Sequence, residues 1–320
     1  MIAEFFSFQA GNIKKRQNFK SILTERFQMK NSYIRTDLAA EAENATSAGA
    51  TIKEYRENGV LVHEMTVNPH ASKRLGLSSG VYVTLEVGKI WFLGQNELEN
   101  VTKSVSRTIL SLCDRFLNEN AKSILIVCLG NRKITSDAIG PLCADGITVT
   151  RHLEAEKPDL YEAFGSRSIS LLSPGVTGET GIETFESIRS AVKTVSADLV
   201  VCVDALAARS SERLMTSLQI TDAGIAPGSG VGNTRKEISR LSLGVPVISI
   251  GVPTVVQSST LVYDVLSRAG INEPASSIKE ILDNERSFFV TPKNSDIAVA
   301  AQAKLISNAI NLAFLGFTNL

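Results

Sequence analysis

Apolar positions along the chain fall into two regimes. Over residues 50–67 and 80–87 β-branched side chains are dense, and the runs break at Asn58-Gly59 and Ser79-Gly80, dipeptides that suit tight turns. A small set of antiparallel strands is predicted there. From about residue 105 the period changes. Val105, Ile109, Leu112, Cys113, Phe116 and Leu117 recur at helical spacing, followed by an unbroken apolar run at 123–129, a Gly-Asn turn and a second helical stretch near 138–153. The rhythm repeats with a strand at 168–172 before a helix at 179–195, a strand at 199–203, and a strand at 246–251 before a helix near 255–269. A long helix over 297–315 closes the pattern. Continuous apolar strands alternating with helices predict an α/β fold, a mostly parallel sheet sandwiched by helices, with residues 50–100 as a small β-rich N-terminal annex.

Composition keeps this picture and narrows it. With 43% hydrophobic, 21% charged and 6% aromatic residues among 320, the chain is that of a globular protein, not a disordered, collagen-like or disulfide-built one. Lys+Arg and Asp+Glu both number 33, so no net charge draws the molecule to nucleic acid or an anionic membrane. Charge is nonetheless uneven: Lys14, Lys15, Arg16, Lys20, Arg26 and Lys30 face only Glu4 and Glu25 in the first thirty residues. Such a basic leader either lies on an acidic face of the body or forms a solvated helix. The four cysteines, Cys113, Cys128, Cys143 and Cys202, sit in apolar stretches without a CxxC pair and read as buried thiols of a reducing compartment. No apolar run reaches membrane-spanning length and no basic-then-apolar secretory signal opens the chain, so a cytoplasmic location is expected and no membrane partner.

In an open α/β sheet, ligands gather beyond the carboxyl ends of the strands. Two acids stand there: Asp137, in the loop Gly130-Asn131-Arg132-Lys133-Ile134-Thr135-Ser136-Asp137, and Asp204, directly after the apolar run 199–203. If their strands are neighbours, both carboxylates enter one crevice. A close pair cannot ionise twice at low cost, so it can divide acid and base roles around a water. Each also has a plainer reading, Asp137 as a helix cap and Asp204 as a turn residue. The glycine-rich stretch 224–236 matches neither phosphate-loop pattern and is read as a groove loop, with anion binding as the alternative. Residues 173–181, between a strand and a helix, suit either substrate contact or a chain reversal. His63, His70 and His152 lack metal-site spacing, and no GxSxG elbow is present, which leaves carboxylates as the hydrolytic candidates.

Longer stretches carry a resemblance. Arg35-Thr36-Asp37-Leu38-Ala39, Gly130-Asn131 with Thr135-Ser136-Asp137-Ala138-Ile139-Gly140-Pro141, Thr150-Arg151-His152, Ser173-Pro174-Gly175-Val176, Gly181-Ile182-Glu183-Thr184, Val203-Asp204-Ala205-Leu206-Ala207 and Pro227-Gly228-Ser229-Gly230-Val231-Gly232-Asn233 occur in that order. In this the chain resembles the germination proteases of spore-forming Firmicutes, from about Arg35 to the C-terminal helix. The resemblance implies an endopeptidase made as a zymogen in the forespore and spore core. Its partners would be small acid-soluble DNA-protecting spore proteins, which such enzymes degrade at germination. It also implies an unusual aspartic-type chemistry on Asp137 and Asp204, a fold similar to hydrogenase-maturation peptidases, a homotetramer, and no cofactor or metal. Family substrates are cut after an acidic residue, before a large apolar residue and alanine with a glutamate beyond, and Asp37-Leu38-Ala39-Ala40-Glu41 has that form. Self-cleavage between Asp37 and Leu38 is therefore expected, dividing a basic propeptide (1–37) from a peptidase domain (38–320).

Two features depart from the family pattern: a longer, more basic leader, and Arg132-Lys133 beside the loop of Asp137, a pair that would lower the pKa of that acid if close. Asn131 and Arg209 are candidate supporting residues, Arg209 for a developing oxyanion. Gly175, Thr177, Gly228 and Gly230 are candidate groove residues. Two other readings stand beside the protease: a metal-dependent hydrolase holding its ion on the same aspartates with His152, and a non-catalytic protein whose glycine-rich loop binds an anion.

Overall fold

The computed structural model describes residues 35–117, 121–228, 236–271, 274–284 and 288–318. The basic leader and Gly230 lie outside them.

Strands β1 (Thr51–Glu57), β2 (Val60–Val67) and β3 (Gly80–Glu86) form an antiparallel meander. Asn58 (φ 49) and Gly59 (φ 87) make the turn between the first two, both in the positive-φ conformation a two-residue hairpin requires. The meander is no detached annex. β3 pairs antiparallel with β7 (Ser217–Thr221), and β7 with β8 (Val247–Gln257). Beyond β8 the sheet is parallel through β6 (Leu199–Ala208), β4 (Ser123–Cys128) and β5 (Ser168–Leu172). The order is β1-β2-β3-β7-β8-β6-β4-β5, with the two-residue β9 (Phe289–Val290) pairing on β8. The α/β class and helical covering are as the sequence predicts, but parallel pairing is confined to one half of a single mixed sheet.

Both faces of the parallel half are covered, which is why its strands read as unbroken apolar runs. On β4, Ile124, Ile126 and Cys128 meet the helices Gln95–Cys113 and Ser295–Leu315 on one side. Leu125 and Val127 meet the helix Thr184–Val195 on the other. The closing helix is apolar on nearly every side because it lies inside: Val299, Ile306, Ala309 and Ile310 are at most 1% exposed. Its length and hydropathy would let it cross a bilayer, contrary to the expectation that no segment could, yet it packs as a core helix. Two of its polar side chains reach backbone carbonyls inside: Gln302 Nε2 donates to Met215 O (2.7 Å), and Asn311 Nδ2 to Gly146 O (2.8 Å).

Several boundaries differ from the sequence reading for local reasons. The helix placed near 138–153 stops after Ile139–Ala144, and just beyond it Gly146 passes so close to the closing helix that a Cβ there would lie 2.4 Å from Ser307 Oγ. The helix placed at 179–195 is divided by Gly181 (φ 70) into Thr177–Thr180 and Thr184–Val195. The strand placed at 246–251 runs on to Gln257, so its helix begins only at Ser258. The strand placed at 199–203 likewise runs on to Ala208.

Ile126, fully buried in β4, tests the core directly. Ile126→Ala is expected to lower unfolding stability by about 2–5 kcal/mol through lost transfer energy and a residual cavity. Urea titration would show this as a lower midpoint at unchanged m-value.

Candidate active site

The strands that carry the two acids are immediate neighbours. Cys128 lies opposite Val203 in the parallel ladder, and Leu129 N–H donates to Val203 O (2.8 Å). Past that bond the chains separate. Gly130 takes φ +114, and the loop curls back so tightly that a Cβ at this position would sit 2.1 Å from Asp137 O. Asn131 N–H donates to both Asp137 O and Asp137 Oδ2, each at 2.9 Å, while Asn131 Oδ1 accepts from Lys133 N–H. Asn131 thus supports Asp137 through its backbone, and its side chain shapes the turn. Thr254, wholly buried on β8, donates its hydroxyl to Ser136 O (2.6 Å), pinning the far end of the loop to the sheet. Asp137 caps no helix, since Ala138 stands at the N-cap of Ile139–Ala144 and no side chain bonds there.

Asp204 is not a turn residue either. It lies within β6, opposite Gly251 of β8, at 5% exposure, and its Oδ1 accepts from Ala205 N–H (2.9 Å). Both aspartates line one cleft of about 890 Å³ at the carboxyl ends of β4 and β6, with Gly130, Gly175 and Gly228 among its walls and Gln219, Thr221 and Ser249 among its polar lining. Gly175 (φ 70) and Gly228 (φ 73) are turn glycines of those walls. Thr177 begins the short helical turn beside Gly175 and lies off the lining itself.

The residues singled out as a cleavage junction run through the same cleft. Asp37 pairs with β6 like an added strand: its N–H donates to Ala207 O (2.9 Å), and Ala207 N–H donates to Asp37 Oδ2 (2.8 Å). Gln219 straddles the next peptide bond, its Nε2 donating to Asp37 O (3.1 Å) and its Oε1 accepting from Ala39 N–H (2.7 Å). Leu38 is 1% exposed, in a pocket of Leu206, Ala208, Leu214 and Val256. The sequence reading did not find Gln219. Its signal was a single amide in the five-residue run 217–221, every position of which is buried.

Other candidates are placed elsewhere. Arg132 forks onto Asp145 (2.8 Å to each oxygen), and that bond holds the Asp145 carboxyl below its usual range. Lys133 pairs with Glu179 (2.8 Å), whose bond raises the lysine. Both cations are therefore paired with other acids. The Arg209 guanidinium bonds Glu43 and lies 5.4 Å from the centre of the Tyr263 ring, off the aspartate cleft, so its side chain is not placed to steady an oxyanion there. His152 is exposed and also absent from the lining, and among the described residues no group of three or more His, Cys, Asp or Glu is arranged to hold a metal. The four cysteines are free and buried. Burial raises Cys113 to about 12, burial and then the Asp204 charge push Cys202 upward, and a bond from Cys128 followed by burial does so for Cys143.

Comparison with known proteins identifies the family. The germination protease family profile matches residues 27–269. The chain belongs to the germination protease family. It is 36% identical over 310 residues to the germination protease of Clostridium tetani, spanning 88% of this chain and 95% of that one. To that of Caldanaerobacter subterraneus subsp. tengcongensis it is 38% identical over 307 residues, 88% and 94% of the two chains. To that of Bacillus cytotoxicus it is 43% identical over 246 residues, 73% and 66%. Among solved structures, the [NiFe] hydrogenase maturation protease HycI of Thermococcus kodakarensis matches with a TM-score of 0.32 at 19% identity, covering 62% of this chain and 98% of that one. Membership makes the protein a peptidase, a hydrolase associated with spore germination.

Proposed function

We propose that this germination protease is an aspartic-type endopeptidase, made as a zymogen, in which water held between Asp137 and Asp204 cleaves a peptide bond after an acidic residue. One carboxylate takes a proton from the water as its oxygen attacks the carbonyl carbon. The other, protonated, gives its proton to the departing amide nitrogen as the C–N bond breaks, leaving a new carboxyl and a new amine. The first bond cut is that between Asp37 and Leu38, which releases the basic leader. Small acid-soluble spore proteins of the spore core are the substrates in trans.

The observation that carries this reading is the position of the junction. Asp37 lines the aspartate cleft, its side chain rests on Ala207 N–H, and its carbonyl accepts from Gln219 Nε2. Gln219 so orients and polarises the carbonyl to be attacked, a positioning task rather than a proton transfer. A metal reading with His152 as third ligand has no geometric support, since that side chain is absent from the cleft lining.

The test is the intact mass of the full chain after incubation. Wild type is expected to lose residues 1–37, and Asp37→Ala to stay whole, because its aliphatic side chain cannot accept from Ala207 N–H. A new N-terminus other than Leu38, or unimpaired cutting of Asp37→Ala, would overturn the assignment of the junction.

A further inference from the structure

The strand between β6 and β7 carries an irregularity that bears on both aspartates. On β8, Gly251 lies opposite Asp204 and Pro253 opposite Leu206, yet the next residue of β6, Ala207, lies opposite Val255. Thr254 therefore has no opposite number on β6, which makes it the extra residue of a β-bulge. The insertion reverses the facing of the strand. Ile248, Ile250 and Val252 pack with the helices Gln95–Cys113 and Ser295–Leu315, whereas Val256, beyond the bulge, packs with Leu38, Leu206 and Ala208. One inserted residue thus supplies part of the pocket that receives Leu38.

The bulge is held from outside its own ladder. Pro253 O accepts from Met215 N–H (2.8 Å), and Thr254 O accepts from the Thr291 hydroxyl (2.9 Å), just past β9. With its backbone fixed on both sides and its branched side chain stiff at χ1, Thr254 sends its hydroxyl to Ser136 O. That carbonyl belongs to the peptide bond leading into Asp137. Asp137 is thereby bracketed, with Asn131 N–H on its own carbonyl and carboxylate and Thr254 on the peptide before it. β8 so serves both acids: Gly251 lies opposite one, and Thr254 holds the loop of the other. Bulges recur beside active sites, where they re-aim a side chain. We propose that Thr254 is a positioning residue of the cleavage reaction, its hydroxyl fixing the peptide bond ahead of Asp137 so that this carboxylate stays aimed at the water it shares with Asp204. The inference rests on the peptidase reading, and the residue acts through Asp137, not on the substrate.

The experiment follows leader loss by the full chain as a first-order rate from intact mass. Once that cut has gone to completion, it measures cleavage of a peptide copying residues 33–43. Thr254→Val keeps the shape and removes the donor, while Thr254→Ser keeps the donor and removes a methyl group. In Thr254→Val, leader loss and peptide kcat are expected to fall together by on the order of a hundredfold, the cost of displacing a reacting group by about 1 Å, with KM unchanged. Thr254→Ser is expected to recover most of that loss. Thr291→Val, at an exposed position, loosens the bulge without touching the buried site and is expected to lower kcat severalfold in a fully folded protein. Wild-type kcat in either valine variant, or a loss in Thr254→Ser as large as in Thr254→Val, would overturn the positioning role and leave the peptidase standing. A wild type that neither sheds its leader nor cuts the peptide would sink the peptidase reading itself.

Discussion

The Asp204→Asn protein is expected to fold normally and to cleave peptide at least about a hundredfold more slowly than wild type, with a loss of up to about ten-thousandfold. Asp204 is 5% exposed in β6, and its Oδ1 accepts from Ala205 N–H, a bond the amide oxygen of asparagine can also make. Shape and local hydrogen bonding are thus preserved, and what is removed is the capacity to exchange a proton with water or the leaving amine. Circular dichroism and a urea midpoint near that of wild type would establish the fold, and steady-state cleavage the rate. A kcat within tenfold of wild type would move the proton chemistry to other groups.

Gly130→Ala attacks the same chemistry through the backbone. At φ +114 an alanine is strained, and its Cβ would lie 2.1 Å from Asp137 O and 3.2 Å from Asp137 Oδ1. The loop has to open, and with it goes the bifurcated hydrogen bond from Asn131 N–H that aims the aspartate. Displacing a reacting group by about 1 Å costs roughly a hundredfold in rate, and the strained backbone about 1–3 kcal/mol in stability. Activity falling together with the urea midpoint is the expected signature. An alanine variant with wild-type kcat would show that the loop has slack the close contact does not suggest.

The parallel half of the sheet was legible because its strands are buried on both faces and so announce themselves as continuous apolar runs. The two aspartates were legible for the same reason, as the first acids in or after those runs. β7 was missed although Ser217-Leu218-Gln219-Ile220-Thr221 alternates polar and apolar, because five residues without a continuous apolar run give a weak signal, and the pattern does not show that every one of them is buried. Without β7 nothing joined the meander to the rest, and a single mixed sheet looked like a domain with an annex. Arg209 shows the opposite error, since nearness in sequence to Asp204 suggested nearness in the cleft. Five residue steps of extended chain span roughly 16 Å, enough to carry its side chain to Glu43 on another surface. Its backbone N–H donates to Glu41 Oε2 instead.

The hydrogen bonds that lay the junction in the cleft come from far along the chain. Asp37 is bound by Ala207, 170 residues later, and by Gln219, 182 residues later. A ribosome adding about 5–20 residues per second needs roughly 10 to 35 seconds to supply them after the junction has been made. Throughout that interval the first segment is present and the groove that would bind it is not. The proposed first cut therefore waits for most of the sheet to be synthesised, so leader removal reports that the body of the molecule has assembled. A truncated translation product ending before β6 would keep its leader.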